Sequence, residues 1–473
     1  MPLHTRSDIP NRSPLDQAAL QAIAQAAQPL TGAPREFDDL AAQMGAARFA
    51  LMGEATHGSH EFHEARAAIT RRMVESHGVN AIAVEADWTD AWRVNCYVRG
   101  LPAIPGGRAD THGAAALEGF ARFPAWLWRN TVLLEFIEWL RAYNEGLPPD
   151  ERVGFYGMDL YSLFASIDIV LHALDQADPA AATRVRARYA GFDHLREDTQ
   201  AFAYAAHFDM APGLEDAVVA QLMARLRNHG RQLAEAVAVA AVVAVGALPR
   251  DDVDAGFNAG QHARVLPGAE AYYRGMFGPR IAAWNLRERH MAETLDALDV
   301  HLQTRRDGRP PKFAVWAHSM HLGDARATAM GLEGERSLGQ LLRQRHGRDV
   351  FVLGFSTYTG AVTAASGWGA PARAERLRPG LPDSVEGLLH EALFHTSGAP
   401  GLVLPLCDQP GLSGALAEPR LQRAIGVVYA PHTERQSHYF DTRLPDQFDA
   451  LVHIDTTHAL EPLASAPLGA RWA

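Results

Sequence analysis

The chain has 473 residues, 47% hydrophobic and 21% charged, a length that supports two or three domain-sized units and a large buried core. Its 44 Lys and Arg against 55 Asp and Glu leave a formal charge of -11, which argues against neutralising a phosphate backbone, so no nucleic-acid partner is expected. Lys312 is the single lysine and opens an apolar run that reads as a buried strand, which excludes a Walker lysine and a Schiff-base lysine.

Cys96 and Cys407 lie far apart, with no Cys-x-x-Cys or Cys/His zinc spacing. Neither a disulfide framework nor a structural zinc module is indicated, and a reducing compartment fits. Residues 1–14 lack the apolar core of a signal peptide. The most apolar run, residues 236–248, is short of the roughly 20 residues that span a bilayer. A cytoplasmic protein without a membrane partner is expected.

Along the chain, a helix pair at residues 16–27 and 35–44 precedes the first strand, at 48–52. Further short apolar runs bounded by turn residues follow at 81–84, 153–156, 313–316, 350–354, 402–405 and 450–454. Most run into a helical pattern, which is how strands buried on both faces of an α/β sheet read. Residues 161–305 interrupt the series with Ala-, Leu- and Arg-rich helical stretches, among them 231–248 and 281–302. The expected fold is therefore α/β, a mainly parallel central sheet flanked by helices with a large all-helical insertion. Residues 1–160 and 306–473 form the two parts of the α/β domain, and 161–305 the insertion or subdomain. Pro and Gly clusters at 100–107, 367–382 and 405–414 mark loops.

Ligands of open α/β sheets bind outside the carboxyl ends of the strands. The first strand ends in Gly53-Glu54-Ala55-Thr56-His57-Gly58-Ser59, the second in Val84-Glu85, and the fourth in Ala317-His318-Ser319-Met320-His321. Three strand ends thus deliver Glu54, His57, Glu85, His318 and His321 toward one crevice. Each residue taken singly has a structural alternative: Glu54 and His57 as satisfiers of turn and cap backbone groups, Ser59 as a helix cap. Asp159 either joins the site or caps the following helix. Arg287, with charged neighbours on both sides, reads as a surface residue from pattern alone, and His60 and His63 read as a solvated helix face. The tryptophans at 88, 92, 126, 128, 139 and 284 read as packing residues, one or two of them as cleft lining. Gly411-Leu412-Ser413-Gly414-Ala415 and Gly354-Phe355-Ser356-Thr357-Tyr358 both fail the nucleophile-elbow pattern, which disfavours a serine hydrolase of that fold. No Gly-x-Gly-x-x-Gly follows the first strand, which disfavours a dinucleotide enzyme.

These residues resemble the erythromycin esterase family. The resemblance rests on Gly53-Glu54-x-x-His57, Glu61-Phe62 with Arg66, Glu85 and Trp316-Ala317-His318-x-x-His321. It extends into Phe155-Tyr156-Gly157-Met158-Asp159, Trp284-Asn285-Leu286-Arg287, Gly323-Asp324-Ala325-Arg326 and Ser437-His438-Tyr439-Phe440, so nearly the whole chain is covered. It implies hydrolysis of an ester or macrolide-like lactone by a histidine-activated water, with no cofactor and no obligatory metal. His57 would be the general base and Glu54 and Glu85 would orient it or the water. Arg66, His318 and His321 would polarise the carbonyl or bind substrate, and Arg287 gains a substrate-binding role from its motif. Ser319 is a departure, since asparagine is expected there.

A positioned histidine base is typically worth roughly 100- to 10,000-fold, and each oxyanion donor roughly 3 to 4 kcal/mol. The inventory therefore suffices for direct water attack on a small-molecule ester or lactone. Two alternatives stay open: a divalent-metal hydrolase using His57, Glu85, His318 and His321 as ligands, and a non-catalytic binder of the same small molecules. Oligomeric state is not legible.

Overall fold

All seven apolar runs are strands in the computed structural model, which describes residues 13–33, 35–103, 107–162, 253–275, 280–395 and 399–463, with a few helical positions between 165 and 186. The strands are β1 (Gln28–Leu30), β2 (Phe49–Glu54), β3 (Ala81–Asp87), β4 (Gly154–Asp159), β5 (Phe313–His318), β6 (Val350–Ser356), β7 (Thr359–Ala364), β8 (Arg373–Leu377), β9 (Gly401–Pro405), β10 (Arg420–Arg423), β11 (Tyr439–Thr442), β12 (Ala450–Ile454) and β13 (Thr456–Thr457). Eight of them form one sheet in the order β1-β9-β12-β6-β2-β5-β3-β4. From β12 to β4 every pairing is parallel, while β9 runs antiparallel to both its neighbours. The fold is the expected mixed α/β class with a largely parallel central sheet.

Alternate residues of each central strand enter different cores, which is why the runs are apolar throughout rather than every second position. Phe49, Leu51, Phe313, Val315 and Val352 pack with helices Pro14–Ala26, Val253–Gly275 and Arg280–Arg305 on one face. Ala50, Met52, Ile82, Ala314 and Trp316 pack with helices Asp38–Ala46, His60–His77 and Thr131–Glu145 on the other. Lys312, just ahead of β5, donates from Nζ to the Gly45 and His77 carbonyls at 2.5 and 3.2 Å and so ties two helix ends to the sheet.

Three expectations need correction. Six strands, β1, β7, β8, β10, β11 and β13, were not anticipated; β1 lies at the sheet edge and, among the described residues, pairs with β9 alone. Two of the Pro/Gly clusters hold regular structure: β8 falls within 367–382, and helix Pro410–Ala415 overlaps 405–414. Between 161 and 305 the described residues include the helices Val253–Gly275 and Arg280–Arg305 and no strand. The helix expected at 231–248 lies outside the described residues. Among the described residues no helix is long and apolar enough to cross a membrane.

The chain leaves the centre of the sheet at β2, and β5 inserts between β2 and β3. The three strand ends singled out from sequence are therefore adjacent. Gly53 permits this crowding: a Cβ there would come within 2.9 Å of the Ser319 backbone, where the chain turns over the end of β2.

Candidate active site

Glu54 and His318 face each other in register on β2 and β5. His57, in the loop after β2, puts Nδ1 2.9 Å from Glu54 Oε1, and the other carboxylate oxygen of Glu54 pairs with Arg66. Arg66 comes from helix His60–His77, is fully buried, and packs its guanidinium 5.3 Å from the Trp316 ring centroid. Because a carboxylate only accepts, Nδ1 of His57 carries a proton, and in the neutral ring Nε2 carries the lone pair.

His63 corrects the expectation of a solvated helix face. Its buried ring bonds the His57 carbonyl at 3.0 Å through Nε2 and receives Arg66 at 3.3 Å on Nδ1. Burial, with Arg66 adding to it, holds its pKa well below the ordinary value, so the ring is a neutral strut under the His57 loop. His60 does face outward, pairing with Glu64 at 3.2 Å. Ser59 occupies the helix N-cap position, but its hydroxyl turns to Thr56 and makes no cap bond.

Glu85 is reached through an irregularity in β3. The register with β4 shifts between Val84 and Asp87, an extra residue that re-aims the side chain at the strand's carboxyl end. Its Oε2 accepts the His318 backbone N–H at 2.8 Å, while Oε1 meets Arg287 Nη2 at 2.8 Å and His321 Nε2 at 3.1 Å. Burial alone would raise the Glu85 pKa, yet His321 and Arg287 hold the carboxyl well below the usual range.

Arg287 is not at the surface, contrary to its pattern. It is 8% exposed, binds Asp159 through Nε at 3.0 Å and Nη2 at 2.6 Å, and lies over the Tyr161 ring. Asp159 therefore joins the site and also accepts the Leu160 N–H at 3.0 Å. His321 Nδ1 lies 2.5 Å from Glu288 Oε1, and the ring stacks flat on Trp284 with centroids 4.7 Å apart. Its Nε2 faces both Arg287 Nη1, at 3.0 Å, and Glu85. A neutral ring would accept from the guanidinium, whereas a protonated ring donates to Glu85. Burial disfavours the charge, but Glu288 and Glu85 outweigh it and push the pKa up to about 9, so His321 is an imidazolium.

His318 is its opposite. Burial and then the neighbouring His57 push its pKa down to about 3. Its Nδ1 accepts the Met320 N–H at 3.2 Å, which leaves the proton on Nε2. That N–H is buried, has no hydrogen-bond partner among the described residues, and belongs to a ring 4.8 Å from that of His57. The Ser319 hydroxyl likewise has no such partner, so the departure from asparagine leaves no bond from this side chain.

A cavity of about 90 Å3 is lined by His57, Glu85, Asp159 and Arg287 together with Phe120, Phe123, Trp128 and Trp368. Arg66, Glu54, His318 and His321 sit behind this lining, each under 5% exposed. Of the six tryptophans read from sequence, Trp128 lines the cavity and Trp284 backs His321; Trp368, which also lines it, was not singled out. Glu288 and His63 were missed as site residues, since burial of polar helix positions leaves no local signal. Among the described residues no three His, Cys, Asp or Glu side chains are arranged to hold a metal ion.

Three solved structures share the fold. A succinoglycan biosynthesis protein matches with TM-score 0.68 at 19% identity, covering 95% of this chain and 100% of its own. A Bacillus cereus protein matches with TM-score 0.69 at 18% identity, covering 96% and 100%. An erythromycin esterase, the histidine-to-asparagine variant of EreC in its open conformation, matches with TM-score 0.58 at 18% identity, covering 89% and 94%. The family model described as erythromycin esterase matches residues 74–457, a span that includes Glu85, Asp159, Arg287, His318 and His321 and begins after Glu54, His57 and Arg66. The chain belongs to the erythromycin esterase family.

Proposed function

We propose that this protein hydrolyses a carboxylic ester or a macrolide-like lactone by direct attack of a water that His57 activates. Family membership supports hydrolase chemistry. The observation that carries the finer reading is the 2.9 Å bond from His57 to a buried, arginine-paired Glu54, on a histidine whose ring lines the cavity. This bond fixes the tautomer, leaves Nε2 as proton acceptor, and stabilises the imidazolium formed when a proton arrives.

In the step we envisage, water adds to the carbonyl carbon as its proton passes to His57 Nε2. The His318 Nε2–H, held neutral and beside His57, donates to the attacking water or to the developing oxyanion. Collapse of the tetrahedral intermediate breaks the C–O bond, and the proton on His57 passes to the leaving alcohol. Acid and alcohol are the products, and His57 returns to its starting state. Arg287, clamped by Asp159 and Glu85, adds positive charge to the cavity lining.

The cavity is smaller than the roughly 300–1,000 Å3 that encloses a drug-sized ligand. It accommodates a reacting ester group, so the bulk of a macrocyclic substrate would lie beyond it. Product analysis on a panel of small esters, lactones and macrolides tests the reading. Hydrolysis of any member, abolished in His57→Ala, supports it; no product from any member after long incubation overturns it and leaves a non-catalytic binder.

A further inference from the structure

Arg287 and Glu288 are neighbours on helix Arg280–Arg305, yet they serve opposite sides of one imidazole. Arg287 reaches Asp159, Glu85 and the Nε2 side of His321, while Glu288 takes Nδ1. Glu288 is wholly buried and both its oxygens are used, Oε1 by His321 at 2.5 Å and Oε2 by the Leu338 backbone N–H at 2.8 Å, at the start of helix Leu338–His346. Trp284, one turn earlier on the same helix, stacks on the ring within 10° of parallel and is itself anchored by its Nε1–H to the Arg336 carbonyl at 2.7 Å. The ring is thus fixed in plane by Trp284 and in rotation by Glu288. Its far nitrogen meets Glu85, and Glu85 in turn holds the backbone N–H of His318.

We infer that Glu288 is a positioning residue for the hydrolytic site, acting through His321 and Glu85 on the placement of His318 beside His57. The inference rests on the hydrolase reading for its kinetic test and on geometry for its structural one. A carboxylate buried in this way is expensive, and replacing buried ion pairs by apolar groups is often neutral or stabilising. A purely structural position therefore has no need of the charge.

The experiment uses the full chain, with Glu288→Gln, Glu288→Asp, His321→Gln and the Glu288→Gln/His321→Gln double variant. On any ester the wild type cleaves, Glu288→Gln is expected to lower kcat by about 10- to 100-fold, by analogy with the loss of groups that orient histidine ligands in metal sites, with KM within about twofold. Glu288→Asp should recover part of the loss, and Glu288→Gln should cost nothing further in the His321→Gln background. The proton NMR spectrum should show a far-downfield resonance for the His321 Nδ1–H facing the carboxylate, absent in Glu288→Gln. A folded Glu288→Gln protein with kcat within twofold of wild type, or equal losses in both backgrounds, overturns the inference. If wild type cleaves nothing, the hydrolase reading fails by itself; the downfield resonance then decides for Glu288, and its persistence in Glu288→Gln, or its absence from wild type, overturns the positioning role.

Discussion

The rings of His57 and His318 lie 4.8 Å apart and are held in complementary states, one presenting a lone pair and the other an N–H. Glu54 sets the first by accepting from Nδ1, and the Met320 N–H sets the second by occupying Nδ1. Adjacent parallel strands bring them together, since β2 and β5 pair to their last residues, Glu54 and His318. On the reading we propose, the pair would divide the labour of water attack between a base and a donor.

Replacing His57 by Ala tests the base directly. Turnover is expected to fall by roughly 100- to 10,000-fold. The fold should hold, because Glu54 keeps its Arg66 partner and the lost ring lines a cavity rather than a core. Steady-state kinetics and thermal unfolding of the variant read the two effects separately. A folded variant with wild-type kcat/KM moves the base role to another group.

Arg66 should behave differently, although it belongs to the same chain of contacts. It is fully buried against Glu54, so Arg66→Met leaves that buried carboxylate with His57 as its remaining side-chain partner and is expected to cost up to about 3–5 kcal/mol. Adding Glu54→Gln to Arg66→Met should return much of that stability without returning activity, because the neutral amide no longer supports a protonated His57. Urea unfolding of the two variants decides; equal stability of wild type and Arg66→Met rejects the pairing argument.

Sequence pattern carried the centre of the sheet and half of the site. Strands β2, β3 and β5 are apolar along their length, and Glu54, Glu85 and His318 stand at their carboxyl ends as abrupt polar breaks after such runs. Strand β8 had no such signature: most of its residues are partly or fully exposed, and it sits among prolines and glycines. Arg287-Glu288-Arg289-His290 reads as a solvated helix face because all four residues are polar; His290 is buried too, and nothing local distinguishes Arg287 and Glu288, which turn into the site. Their burial is decided by partners far away in sequence, Asp159 and Glu85 for Arg287, His321 and Leu338 for Glu288. His63 was obscured similarly, its acceptor being a backbone carbonyl that only the folded loop presents.

Activity is expected to survive dialysis against a strong chelator. A catalytic metal needs about three converging protein ligands with lone pairs to spare. Here Glu85 spends both oxygens on Arg287, His321 and the His318 backbone, and His321 has carboxylates at both nitrogens. Recruiting His57 as a ligand would also remove the lone pair that the proposed mechanism uses. Hydrolysis measured before and after chelation is the check. Activity abolished by chelation and restored by one equivalent of a divalent ion would transfer the mechanism to a metal-bound hydroxide.

The pH dependence of stability should reflect the two oppositely shifted histidines. His318 is held neutral, its pKa pushed from 6.5 down to about 3, so the unfolded chain binds its proton more readily than the folded one. Its contribution is complete above pH 6.5 and is lost as pH falls toward 3. Burial pushes His262 down to about 3, and His290 down to about 4, and both act in the same sense. Each such histidine costs about 2 kcal/mol between pH 6.5 and 5. Destabilisation should therefore begin near pH 6.5, before ordinary carboxylates start to protonate. His321 works the other way: with its pKa raised to about 9, its contribution is complete below 6.5 and is lost as pH rises through 9. Urea unfolding at pH 5, 6, 7, 8 and 9 should give a stability maximum near neutrality. His318→Asn should flatten the acid limb and His321→Gln the alkaline limb, each by about one proton's worth of slope, and unchanged limbs in these variants would reject the charge states assigned to the two rings.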